Sequence, residues 1–238
     1  MKNILIILLL SISFIVDAQS NEVIYVKYKT VKAVGENVPE LEPHFKKGLK
    51  MYADAVEEIE YDLIANDVVG IFKKAEKMTI EEEHPLSKAI GTGIYYTNLK
   101  SKEKIKQIEL GEKFNVIYPF DEYKWEITSE TKIINGFKCY KAKTYKEKYI
   151  KWKNKTSITN PEVWFAPEIP FGYGPFGLIG LPGLILEATL NGKIFYYATK
   201  IDLDYKDTSY SELDMPSKGK FVTEKEMEDI QINASSKD

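Results

Sequence analysis

Arginine is absent from the 238-residue chain, cysteine occurs once, histidine twice, and no apolar run reaches membrane-spanning length. Without arginine there is no planar guanidinium fork to read phosphate or carboxylate groups bidentately. A net charge of −3 adds no electrostatic attraction toward nucleic acid, so no nucleic-acid partner is expected. Cys139 has no second cysteine to pair with, which excludes an internal disulfide. It lies in a strand-like run with Phe137 and Tyr140, where a buried thiol is expected. His44 and His84 belong to no H-x-x-x-H or H-E-x-x-H spacing, so neither a metal site nor a cofactor is expected. A solvated acidic connection accounts for His84 beside Glu81, Glu82 and Glu83, and Ser87 lacks the strand-turn-helix setting of a hydrolase nucleophile.

The longest apolar stretch runs from Ile4 to Val16, thirteen residues interrupted by Ser11 and Ser13, short of the roughly 20 that span a bilayer. With Lys2 before it and Val16-Asp17-Ala18 after it, residues 1–18 read as an export signal cleaved after Ala18. The rest, residues 19–238, has the length of one β-rich domain without a transmembrane segment, ending in a polar tail with a short helix over about 205–238. The product is expected to be periplasmic or secreted.

Strand patterns dominate what remains. Ile24, Val26 and Tyr28 share one face of EVIYVKYKTV, and Ile59, Tyr61, Leu63 and Ala65 alternate with polar residues before the turn Asn66-Asp67, which makes residues 57–78 a hairpin. Further strands are expected over 93–100, 103–110, 112–120 and 124–128. Asn135-Gly136 supplies the two positive φ angles of a type I′ turn between 130–134 and 137–145, and Asn191-Gly192 repeats the signal between 184–190 and 193–202. A short helix is expected after Pro43, and Thr223 with Glu226 forms a capping box for a second over 224–230.

The chain is organised around Val163–Leu190. From Pro167 to Gly183, seventeen residues include five glycines and four prolines, yet most of the others are apolar, with one charge at Glu168. Proline fixes its own φ and holds the preceding residue extended, while glycine permits close backbone approach. The run therefore specifies a defined path whose side chains either cover a sheet or barrel end or face a partner. Gly172 to Gly177 satisfies G-x-G-x-x-G, but Pro175 and Pro182 bracket it and no helix follows, which excludes a dinucleotide site.

Gly180-Leu181-Pro182-Gly183-Leu184-Ile185 resembles the signature of the GLPGLI family of exported bacterial proteins. Lys132 to Ala142, with its glycine turn and cysteine, and Val163 to Pro170 are similar to further parts of that family's pattern. The resemblance implies an exported protein and supplies no catalytic residues.

The expected fold is mainly β, an antiparallel curved sheet or open half-barrel with a short C-terminal helix. The expected function is non-catalytic: a binding or envelope-assembly module holding an apolar ligand or an envelope protein partner. Trp164, Phe171, Tyr173, Phe176, Leu178 and Leu181 are the candidate contacts, on a path set by Gly174, Pro175, Gly180, Pro182 and Gly183. The alternatives are a periplasmic hydrolase and a scaffold subunit of an outer-membrane complex.

Overall fold

A computed structural model of the chain describes residues 22–32, 54–57, 59–76, 90–151, 154–206 and 213–235. The proposed export signal, both histidines and Ser87 lie outside these residues, as does the helix expected after Pro43 apart from the helical residues 54–57. No helix among the described residues is long and apolar enough to cross a membrane.

The chain forms β1 (Ile24–Lys32), β2 (Glu60–Ala65), β3 (Val69–Lys74), β4 (Ile94–Asn98), β5 (Glu103–Leu110), β6 (Glu112–Ile117) and β7 (Glu126–Ile134). These are followed by β8 (Phe137–Lys143), β9 (Lys146–Ile150), β10 (Lys155–Thr159), β11 (Glu162–Ala166), β12 (Leu184–Thr189), β13 (Ile194–Asp202) and β14 (Lys220–Thr223), then helix α1 (Glu224–Ser235). Twelve strands make one curved sheet in the order β14-β6-β5-β4-β3-β2-β1-β13-β12-β11-β8-β7. Every pairing in it is antiparallel except β14 with β6. Among the described residues β14 and β7 do not pair with each other, so the sheet stays open, in agreement with the expected curved sheet or open half-barrel. β9 and β10 form a separate hairpin inserted between β8 and β11, which are themselves neighbours in the sheet.

Local chemistry sets the turns. Asn66 Oδ1 accepts the backbone N–H groups of Val68 and Val69 at 2.9 and 2.7 Å, closing the β2–β3 hairpin. Asn135 (φ 49) and Gly136 (φ 86) both have the positive φ of a type I′ turn. The Asn191-Gly192 connection is built differently, because the buried Thr189 hydroxyl accepts the Gly192 N–H at 2.9 Å and widens the loop. The two strands expected over 124–128 and 130–134 are one strand, β7, with an irregularity between Ile127 and Thr131, a common device on a sheet edge. Thr223 and Glu226 form the reciprocal cap: the Thr223 N–H donates to Glu226 Oε2 at 2.7 Å and the Glu226 N–H to Thr223 Oγ1 at 3.2 Å. The helix they start runs five residues beyond the expected end, to Ser235.

The main core joins Ile24, Val26, Tyr28, Tyr61, Leu63 and Phe72 of β1 to β3 with Leu184 and Leu186 of β12. The Tyr28 hydroxyl, fully buried, donates to the Ile185 carbonyl at 2.6 Å and ties β1 to β12 across the core. Cys139 is fully buried as expected, and burial pushes its thiol up to about 11. Over this core lies the glycine- and proline-rich connection between β11 and β12. It folds back onto the sheet: the Leu184 N–H donates to the Ile169 carbonyl at 3.0 Å and the Ile185 N–H to the Tyr173 carbonyl at 3.0 Å. Tyr173 presses on Gly70 of β3, where a Cβ would come within 2.5 Å of its ring.

Candidate functional site

Where the covering loop reaches the β4–β5 pair, buried charge and aromatic rings meet. The register places Thr97 opposite Lys104 and Tyr95 opposite Lys106, so the two lysines share a face with tyrosine. The Lys104 ammonium lies 3.2 Å from Glu122 Oε1, with only 4% and 6% of the two side chains exposed. Lys146 Nζ, from the inserted hairpin, donates to the same oxygen at 3.1 Å. Lys104 also sits 4.4 Å from the Tyr123 ring centre and 5.8 Å from that of Tyr118, positions that favour a cation against the ring faces.

The loop contributes the opposite wall. Pro175 begins a single 3-10 turn, Pro175–Gly177, that brings Phe176 to the sheet. Phe176 packs edge-on against Tyr61, Phe72, Tyr95 and Tyr196, with ring centres 4.7 to 5.5 Å apart. Its φ of 56° is a left-handed conformation that a non-glycine residue adopts at a cost. Gly177 follows because a Cβ there would stand 3.1 Å from Lys104 Cε. The result is a cavity of about 140 Å³ lined by Tyr95, Lys104, Tyr118, Glu122, Tyr123, Lys146 and Phe176.

Electrostatics favour the ionised carboxyl of Glu122 and the neutral form of the tyrosines. Burial pushes the Glu122 carboxyl up, but Lys104, Tyr123 and Lys146 together outweigh it and hold it below the usual carboxylate range. Burial also lowers Lys104, against the opposing pull of Glu122. Desolvation raises Tyr95, Tyr118 and Tyr123. Two buried polar atoms of the cleft nevertheless lack a hydrogen-bond partner of good geometry: Lys104 Nζ, which is held to Glu122 by the ion pair, and Glu122 Oε2. Unsatisfied buried groups of this kind are expensive and uncommon.

Of the six candidate contacts, Phe176 alone lines this cleft. Tyr173 is buried in the main core with Phe171 packed against it. Leu178 and Leu181 are buried in a second cluster with Val163, Phe165 and Ile185. Trp164 lies apart, beneath Lys132 at 4.3 Å from its ring centre, and Lys132 is paired with Glu187. The path residues act sterically: Gly174 makes room for Ile185, Gly180 faces Trp125, and Gly183 lies on the Ala166 carbonyl. Pro175 is buried and Pro182 exposed. Lys104, Glu122, Tyr123 and Lys146 were not marked by any spacing motif. The one signal was a pair of lysines at alternate positions of EKIKQIEL, in a strand flanked by tyrosine-rich and apolar strands.

Residues 60–225 match the family described as N-glycanase peptide, N-terminal domain. Among solved structures, that of PNGF-II in a C2 space group is similar at a TM-score of 0.56 and 16% identity, covering 88% of this chain and 32% of that one. The structure of PNGF-II in a P21 space group is similar at 0.53 and 15%, covering 88% and 33%. At such identities the likeness is one of fold, and the chain spans about a third of the length of those structures. No curated protein matches. These findings overturn the resemblance to the GLPGLI family. Gly180 to Ile185 encodes a local event, a glycine seated on the Ala166 carbonyl followed by two buried strand residues, whereas the family match extends over most of the sheet.

Proposed function

Because the chain belongs to the family of N-glycanase N-terminal domains, we propose that it is an exported, non-catalytic carbohydrate-recognition module that seats one sugar ring between Tyr123 and Phe176. The observation that carries this reading is the pair of unsatisfied atoms, a donor at Lys104 Nζ and an acceptor at Glu122 Oε2, buried side by side among aromatic rings. Neighbouring sugar hydroxyls both accept and donate, so two of them satisfy both atoms at once. The apolar C–H face of the ring meets Phe176 and the edge of Tyr123, whose faces are taken by Lys104 and Trp125, in keeping with pockets that combine an apolar lining with a few placed polar groups. A volume of about 140 Å³ is below the roughly 300 Å³ at which pockets for drug-sized ligands begin, and suits a single ring. The left-handed Phe176 adds support, since strain of this kind gathers at ligand clamps.

Calorimetric titration with a neutral, asialo biantennary N-linked oligosaccharide tests the reading. Wild-type protein is expected to bind, and Glu122→Gln and Tyr123→Ala are each expected to weaken binding about tenfold or more while keeping the circular dichroism of the sheet. Absence of binding by the wild type, or equal affinities in all three proteins, would remove the proposal.

A further inference from the structure

Two further cavities lie along β5 beyond the sugar cleft. A second cavity, of about 260 Å³, lies beside it with Tyr118 common to both walls, and is enclosed by Lys106, Ile108, Lys148 and Met227. A third, of about 540 Å³, continues from it past Lys106, Ile108 and Gln231 to Leu110. Lys104, Lys106, Ile108 and Leu110 are alternate residues of β5, so the floor extends about 20 Å along one strand. Hairpin β9–β10 and helix α1 stand as walls.

Charge in this groove is unevenly satisfied. Glu224 is held by Lys148 at 2.8 Å, Glu228 accepts the Lys151 N–H at 2.8 Å, and Glu122 is shared by Lys104 and Lys146. At the far end Glu109 faces Lys113 across the strands. Half-buried Lys106, where the second and third cavities meet, rests on the Tyr95 ring at 5.0 Å and has no carboxylate partner among the described residues.

We infer that the groove takes an acidic oligosaccharide rather than an isolated neutral sugar, with one ring in the Glu122 cleft and a carboxylate or sulfate of a following unit on Lys106. This rests on the reading of the cleft as a sugar site. Lys104 cannot serve the acid equally well, because it is already ion-paired with Glu122, whereas the carboxylates that line the cavity at Lys106, those of Glu224 and Glu228, are engaged by Lys148 and the Lys151 N–H.

Parallel titrations at low and moderate salt test the inference, using the asialo biantennary oligosaccharide, its sialylated form and free N-acetylneuraminic acid. The sialylated form is expected to bind about tenfold or more tightly than the asialo form, with the ratio shrinking as salt rises. The monosaccharide is expected to bind far more weakly than either. Lys106→Gln should collapse the ratio toward one and Lys106→Arg should retain it, with thermal melts confirming that both variants fold. Equal wild-type affinity for the two oligosaccharides, or a ratio unchanged in Lys106→Gln, would overturn the acidic preference while leaving the sugar cleft standing. A monosaccharide as tight as the sialylated chain would overturn the extended groove. Failure of every sugar to bind would remove the sugar reading and this inference with it.

Discussion

A Glu122→Leu chain is expected to lose about 3–5 kcal/mol of unfolding free energy. The leucine leaves the Lys104 ammonium, 4% exposed, buried without the carboxylate that justifies its burial, and Lys146 nearby adds like charge. Changing Lys104 to methionine in the same chain should restore much of the loss, since an apolar pair of similar volume replaces a buried ion pair at little net cost. Denaturant unfolding of the two single variants and the double variant reads this coupling directly.

The pH dependence has a definite sign. The Glu122 carboxyl is held below its ordinary value of 4.5, so its contribution is fully present above that pH and is lost as pH falls through the folded value. The gap between wild type and Glu122→Leu therefore narrows in acid. Lys104 is held below its ordinary value of 10.5, so the unfolded chain carries more protons in the alkaline range and stability rises with pH there. Loss of Glu122 deepens that shift, and the variant regains stability over a wider alkaline window than the wild type.

Gly183→Ala is expected to be at least as damaging, at about 4 kcal/mol or more. A Cβ at this position would lie 2.3 Å from the Ala166 carbonyl oxygen and 2.8 Å from Pro167 Cα. Both are main-chain atoms, so no side-chain rotation relieves the contact, and β11 and β12 must separate at the base of the loop. Gly136→Ala supplies the comparison. It shares a positive φ, 86°, but meets open space, so only the backbone preference is lost, about 1–2 kcal/mol. Equal losses in the two variants would show that close approach is not what selects glycine at 183.

The strands and turns were legible because their signals are local. Alternation marked β1 and β2, the Asn66-Asp67 turn marked β3, successive strand-like runs marked β4 to β6, Asn135-Gly136 marked the β7–β8 turn, and Thr223 with Glu226 marked the start of α1. The covering loop was legible as a conformational specification, since proline, glycine and apolar residues in one run leave few paths. Two strand pairings were not. KEKYI and KTSIT carry too many charges and hydroxyls for a period of two to stand out, although they form β9 and β10. The parallel β14 is four residues long and is held against β6 by tertiary contact. The cleft was illegible for a different reason. Tyr95, Lys104, Glu122, Lys146 and Phe176 come from five separate parts of the chain, and only the sheet register and the returning loop bring them together. Lys104 looks like any surface lysine until its strand is known to be covered.

The central claim is that the Glu122 cleft holds a sugar ring, and a crystal structure of the protein with the asialo biantennary oligosaccharide tests it most directly. The account predicts one pyranose ring against Tyr123, with hydroxyls within hydrogen-bond distance of Lys104 Nζ and Glu122 Oε2 and Phe176 still in its left-handed conformation. An oligosaccharide ordered elsewhere, such as over Trp164 beside Lys132, with the cleft holding only water, would contradict it.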